Sequence, residues 1–398
     1  MNRLRVAGIV GAVCLTAAGC GSSSPRTASP PAGTDGGAAA RPPINLVSIA
    51  ATGASTVGEK VGHGAAAAVK AINAAGGVNG RLLQVTSCDE KSDANIAAKC
   101  ARDAASDSKV VALVASGSTF GGQVDPILAQ AQLADIGTLP FSEADFASPA
   151  LFLTGAGGLA GTGGAASILA TDGAKKINIA FQDVPAGRGL EALTNVALAP
   201  FSLTVSKAVG IPPTAADLSP QVAQLISNNP DGIVVGTTKD LAVKIIAAAR
   251  QQGYTKPITV PSASIIGGTT NVKFVGGFSH GGPGYDQFTA EMRKSDPSAP
   301  LDEDALSAWL SVHLFADTAK SLQTVTRATV WSAMNKVTSY DTKGLTPPLD
   351  FTQAQAGGGG HFARVINPSV VELTYDNGSL KNVSNPAKFV NIFTGKVQ

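Results

Sequence analysis

The sequence predicts an α/β protein of two similar lobes, and three observations support this. At 398 residues the chain exceeds one typical domain. Short apolar runs alternate with stretches of helical period, the mark of a parallel sheet covered by helices. That alternation occurs twice, from Ile44 and again from Ile177, in two series of similar size. With 44% hydrophobic and 15% charged residues the chain can fill two cores, which excludes global disorder.

Ile44–Ile49 is the first expected strand. Thr56 and Glu59 have capping-box spacing, and Val57, Val61, Ala65, Ala68, Val69 and Ile72 follow at helical spacing. Gly76-Gly77 stops that helix, and Asn79-Gly80 turns the chain into a strand over Leu82–Val85. A helix over 93–106, a strand over Val110–Val114, a helix over 120–132 and a strand over Ile136–Leu139 follow. The second series is strand Ile177–Phe181, helix 187–199, strand Leu203–Val205 and helix 219–228, entered from Asp217 or Ser219 as a cap. Strand Gly232–Val235, helix 239–252 and strand Ile258–Val260 complete it. Residues 302–322 and 328–337 have helical patterns, and Val370–Tyr375 with Asp376-Asn377-Gly378 forms a hairpin.

The N-terminus has the form of an export signal. Arg3 and Arg5 precede the apolar stretch Val6–Ala18, which ends in small residues before Cys20. That stretch is shorter than the roughly 20 residues needed to span a bilayer. Leu15-Thr16-Ala17-Ala18-Gly19-Cys20 resembles a bacterial lipobox, with Ala17 where leucine is usual, so Cys20 is expected to be lipidated; ordinary signal cleavage is the alternative. Residues 21–43, made almost wholly of small and polar residues, form a flexible tether. Formal net charge is +2, two of those positive charges being Arg3 and Arg5, so nothing electrostatic points to nucleic acid. Cys88 and Cys100 remain after export. In an oxidising compartment they form one disulfide, contributing roughly 2–3 kcal/mol; otherwise they are buried free thiols. No histidine lies near enough in sequence to make them a zinc pair.

The string Val69-Lys70-Ala71-Ile72-Asn73-Ala74-Ala75-Gly76-Gly77-Val78-Asn79-Gly80-Arg81 resembles the leucine/isoleucine/valine-binding-protein family of type I periplasmic binding proteins. Asp89 with Ser92-Asp93, Val110–Ser118 and Ile233–Gly236 continue the similarity, and Gly344–Phe351 resembles actinobacterial members. The resemblance implies two Rossmann-like lobes joined by three crossover segments, placed near 151–156, 274–282 and 346–352, that close on a solute. Lobe 1 is then 44–155 with 279–348, and lobe 2 is 156–278 with 349–398. It implies a monomeric, lipid-anchored receptor without catalysis or cofactor, which delivers a small solute to an ABC permease. The alternative partner is a signalling membrane protein.

The ligand is expected in the cleft at the carboxyl ends of the strands. The resemblance assigns Ser118 to a ligand carboxylate, and the loop Phe141-Ser142-Glu143 to an amino-acid backbone. Elsewhere the cleft departs from the family. Val57, Ala186, Thr238 and Asp304 stand where leucine receptors carry aromatics, and Ser262 stands where they carry the glutamate that pairs with the ligand ammonium. A buried ammonium without that partner costs several kcal/mol, which disfavours an ordinary α-amino acid in the usual pose. If Glu143 and Asp304 both face the cleft, they favour a cationic or hydroxyl-rich solute. Otherwise they face solvent or pair with a nearby base.

Gly155-Ala156-Gly157-Gly158-Leu159-Ala160-Gly161 mimics a dinucleotide fingerprint, but its strand is short and the next strand-end acid, Asp183, lies too far on. It is expected instead to lead into the second lobe. His63, His280, His313 and His361 are scattered without metal-ligand spacing and are expected at the surface; the alternative for His280 and His361, which sit in glycine-rich loops, is a place near the cleft mouth. No nucleophile elbow surrounds Ser118. Trp309, on a helix face with Leu306, Leu310 and Leu314, is expected in the core.

Overall fold

The computed structural model describes residues 41–53, 57–184, 187, 189–261, 271–353 and 361–398. The expectations for the export signal, Cys20, most of the tether, Thr56, Ala186 and Ser262 fall outside the described residues.

The first sheet is parallel, in the order β2-β1-β3-β4-β5. It comprises β1 (Ile44–Ala50), β2 (Leu83–Asp89), β3 (Val110–Val114), β4 (Asp135–Ile136) and β5 (Leu151–Phe152). All five residues of β3 are buried, as suits an inner strand covered on both faces. Helices α1 (Val57–Ala74), α2 (Ala94–Ser106) and α3 (Gly121–Gln130) connect these strands. The Asp93 carboxylate caps α2 by accepting the Asn95 and Ile96 N–H groups. The disulfide Cys88–Cys100 ties the end of β2 to α2, with the Cα atoms 5.9 Å apart.

The second sheet runs β12-β11-β10-β9-β8-β6-β7. Its parallel part is β6 (Ile177–Gln182), β7 (Lys207–Ile211), β8 (Gly232–Gly236), β9 (Ile258–Pro261) and β10 (Val272–Gly276). The expected hairpin forms as β11 (Ser369–Asp376) and β12 (Ser379–Asn382), and β13 (Phe389–Asn391) pairs antiparallel with β11. Helices α4 (Gly164–Thr171), α5 (Leu190–Leu198), α6 (Ser219–Ile226) and α7 (Lys239–Gln251) belong to this half.

Helices α8 (Pro283–Ser295), α9 (Glu303–Lys320) and α10 (Arg327–Met334) return to the first sheet, where α9 lies along α1. The chain therefore passes between the halves three times: after β5, after β10, and between α10 and β11. The last passage is fixed by Arg364, which donates twice to the Leu151 carbonyl, and by Asn367, which donates to the Thr154 carbonyl.

Several elements differ from expectation. The strand expected at Leu203–Val205 lies at β7, because Ser202 takes a left-handed conformation and the Val205 N–H is taken by Asn195 Oδ1 at 2.7 Å. Ladder pairing starts only at Lys207. The expected crossovers at 151–156 and 274–282 begin inside β5 and β10. Both strands are poor in periodicity, one being two residues long and the other ending in glycine. Helix α8 has no counterpart in the expected elements; its polar, glycine-rich start hides a stripe formed by Gly284, Phe288 and Met292.

Candidate functional site

A cavity of about 470 Å³ lies where the carboxyl ends of both sheets meet. The first half contributes Thr138–Phe141 beyond β4, and β5 leads into Gly155–Gly158 and Ala160–Thr162. The second half contributes Gln182 at the end of β6, Gly236–Thr238 after β8, Pro261 on β9 and Val275–Phe278 at the end of β10. The first turn of α9 adds Glu303, Asp304 and Ser307. Leu139, Phe141, Val184, Leu190, Val275 and Phe278 make much of the wall apolar. Glycines bring the backbones close. At Gly157, φ is +51° and a Cβ would lie 2.5 Å from the Pro140 carbonyl oxygen, so a side chain is excluded twice over. The run that mimics a dinucleotide fingerprint thus lines the cavity, and a π-helical turn over Leu159–Gly163 carries it into α4.

Of the residues singled out in the sequence, Phe141, Thr238 and Asp304 line this cavity. Phe141 is 46% exposed, a large apolar ring at the cavity edge. Asp304 is paired with Lys60, Nζ to Oδ2 3.1 Å. Burial alone would lower the Lys60 ammonium, but the Asp304 and Asp302 charges outweigh it and hold it above its usual range.

The other described candidates are not among the lining residues. Ser118 is buried, and its Oγ accepts the Phe120 N–H at 3.1 Å beside the buried Glu90, whose carboxyl burial pushes up. Ser142 and the Phe141 backbone are turned onto Asp145. Its Oδ2 accepts the Phe141 and Ser142 N–H groups, each at 2.7 Å, and its Oδ1 accepts the Ser142 hydroxyl at 2.8 Å. The donors expected to hold a ligand are engaged within the loop. Glu143 is directed outward, its side chain 82% exposed and 3.3 Å from His361 Nδ1. Val57 packs on Gly117.

Behind this loop lie more buried acids. Burial pushes Asp135 up to about 7, against hydrogen bonds from Ser116 and Thr138. Burial, reinforced by the Asp145 and Asp135 charges, also raises Asp125 well above the usual carboxylate range.

Glu303 was not singled out in the sequence, because an acid in the first turn of a helix reads as a complement to the helix dipole. Asp302 does cap α9, accepting the Ala305 N–H at 2.9 Å, but Glu303 reaches the cavity wall. Its Oε2 accepts the Gly277 N–H at 3.3 Å. Its Oε1 is buried and has no hydrogen bond among the described residues. The nearest base is His280, whose Nε2 lies 3.6 Å from Oε1.

The surface placement expected for the histidines fails for two of them. His280 is buried where the chain leaves β10, stacked 5.0 Å from Tyr285. His313 lies on the largely buried α9 and bonds Glu291 at 2.9 Å. Glu291 also accepts from the buried Trp309 at 2.7 Å, which places Trp309 in the core. Among the described residues no cluster of His, Cys, Asp and Glu is arranged to hold a metal ion. No described helix is long and apolar enough to cross a membrane.

The family model for periplasmic binding proteins matches residues 46–367. No curated protein matches the chain. Among solved structures the fold resembles that of a possible leucine/isoleucine/valine-binding protein from Rhodopirellula baltica SH 1, with 16% identity and a TM-score of 0.69 over 87% of this chain and 97% of that one. It also resembles the branched-chain amino acid transporter substrate-binding protein LivJ from Streptococcus pneumoniae, in complex with isoleucine (21% identity, TM-score 0.64, 86% and 99% covered). A third similar structure is a fatty acid ABC transporter substrate-binding protein from Thermomonospora curvata (18% identity, TM-score 0.66, 87% and 92% covered).

Proposed function

Since the chain belongs to the periplasmic binding protein family, we propose that it is an extracytoplasmic receptor which captures a small solute between its lobes and delivers it to an ABC permease. The observation that carries this is the cavity of about 470 Å³, which takes its walls from the carboxyl ends of strands in both sheets. A solute there touches both halves at once, so binding favours a closed arrangement.

In this proposal residues 1–20 direct export, Cys20 carries the lipid, and 21–43 tether two lobes, 44–155 with 279–348 and 156–278 with 349–398. Phe141, Thr238 and Asp304 contact the solute. The apolar wall and the pairing of Asp304 with Lys60 favour a solute with an apolar body over a polyol. Similar structures described as binding isoleucine and as serving fatty acid transport agree with an apolar body.

A thermal-shift screen over amino acids, amides, amines, polyols and carboxylates, followed by native mass spectrometry, tests this. A ligand in hundredfold excess over its Kd adds about 2.7 kcal/mol of stability and raises the melting temperature visibly. Compounds with apolar bodies are expected to stabilise. If no class of compound shifts the transition, the proposal fails.

A further inference from the structure

We propose that Glu303 is the head-group acceptor of the cavity, and that the solute is a primary amine, carried as its ammonium, on a compact apolar body. The proposal rests on the receptor function above and assigns the chemistry of its ligand.

Among the described residues that line the cavity, Glu303 and Asp304 are the ionisable ones, and they differ in one respect. Asp304 has its counter-charge in Lys60 at 3.1 Å. Among the described residues Glu303 has no Lys or Arg partner: it has one long bond from the Gly277 N–H, a buried oxygen without a hydrogen bond, and His280 Nε2 at 3.6 Å. Both ring nitrogens of His280 are themselves buried without a hydrogen bond among the described residues. A half-satisfied carboxylate in a largely apolar wall is costly until a donor reaches it, and a cationic donor relieves most of that cost.

The local chain is built around this carboxylate. A Cβ at Gly276 would overlap Glu303 Oε1, so only glycine leaves room for it at the end of β10. Oε1 is held inside against Gly276 and His280, while the Glu303 side chain as a whole keeps 21% of its surface exposed and lines the cavity. In this proposal the ammonium meets the carboxylate there, beside the long bond from Gly277, and its charge compensates both oxygens. Glu303 starts α9, in the half built on the first sheet, and its bond to Gly277 reaches the segment leaving the second. A head group bound here therefore bridges the two halves. The same geometry disfavours an anionic head. The donors of the loop at Phe141–Ser142 are occupied by Asp145, and among the described residues the lining contains no Lys or Arg.

Four matched probes test the assignment by titration calorimetry on the wild-type protein: 3-methylbutylamine, 3-methylbutan-1-ol, 4-methylpentanoate and leucine. The expected order is amine first, alcohol weaker, and no binding of the carboxylate. In Glu303→Gln the amine is expected to lose about tenfold or more in affinity, a charge-assisted bond becoming a neutral one, with the alcohol changed by less than about threefold. The wild-type series does not depend on any variant folding. Gly276→Ala, which displaces the carboxylate without removing it, should weaken the amine in the same direction. Tighter binding of 4-methylpentanoate or leucine than of the amine would overturn the head-group assignment while leaving the receptor standing. An unchanged amine affinity in Glu303→Gln, or no binding of the amine at millimolar concentration, would overturn it as well. The receptor function falls separately, if the broad screen is silent.

Discussion

Asp145 and Glu303 sit beside different walls of the cavity, and each fills the space that a glycine leaves open. A Cβ at Gly121 would overlap Asp145 Oδ1, and one at Gly276 would overlap Glu303 Oε1. Their surroundings then diverge. Asp145 accepts three hydrogen bonds and closes the loop from Phe141 on itself. Among the described residues Glu303 accepts one, from Gly277, and leaves Oε1 bare. The same side-chain chemistry builds a wall in one place and leaves a vacancy in the other. Counting partners separates the two roles where burial does not.

The sharpest way to break this comparison is to remove the builder. Asp145→Ala is expected to lower stability by about 3 kcal/mol in urea unfolding, because three donors lose a charged acceptor. Gly121→Ala should act in the same direction, since Asp145 is too short to swing clear. A loss under about 1 kcal/mol in both variants would show that the loop holds without its carboxylate.

The acid behind that loop gives the next largest effect. Asp135 is buried, has no hydrogen bond to Oδ1 among the described residues, and is pushed up to about 7. The folded protein therefore keeps a proton that the unfolded chain releases near pH 4. Stability from this group is full at low pH, declines as pH rises from about 4 to about 7, and is flat above that. Asp135→Asn should stabilise the protein at pH 8 by roughly 2 kcal/mol and change little at pH 4, removing part of the slope between them. Urea midpoints at the two pH values check this, and equal effects at both would refute it.

The smallest effect belongs to the vacancy. In Gly276→Ala the new methyl group meets the far end of a flexible glutamate, which can shift out of its place against β10. Stability should change by less than about 1 kcal/mol, in contrast with Gly121→Ala. Comparable losses in the two glycine variants would erase the distinction between wall and vacancy.

The scaffold was legible in the sequence because alternating periods, Asn79-Gly80 and the hairpin at Asp376-Asn377-Gly378 are local signals. The strand at Lys207–Ile211 was displaced in the expectation because Leu203–Val205 is the more apolar run, and its backbone is diverted by Asn195. The site was less legible. Phe141, Thr238 and Asp304 were placed by resemblance and do line the cavity. Glu143, Ser118 and Glu303 could not be sorted, since all are polar residues at element ends. Only the fold tells which finds partners: Glu143 lies in solvent beside His361, Ser118 beside Glu90, and Glu303 against a glycine.

The central claim is that one cavity between the two sheets takes the solute. Hydrogen exchange measured with and without the most stabilising compound of the screen tests it most directly. The account predicts added protection together at 138–142, 155–162, 236–238 and 275–278 and in the first turn of α9, segments from both halves of the molecule. Protection confined to one half, or appearing away from these segments, would contradict it.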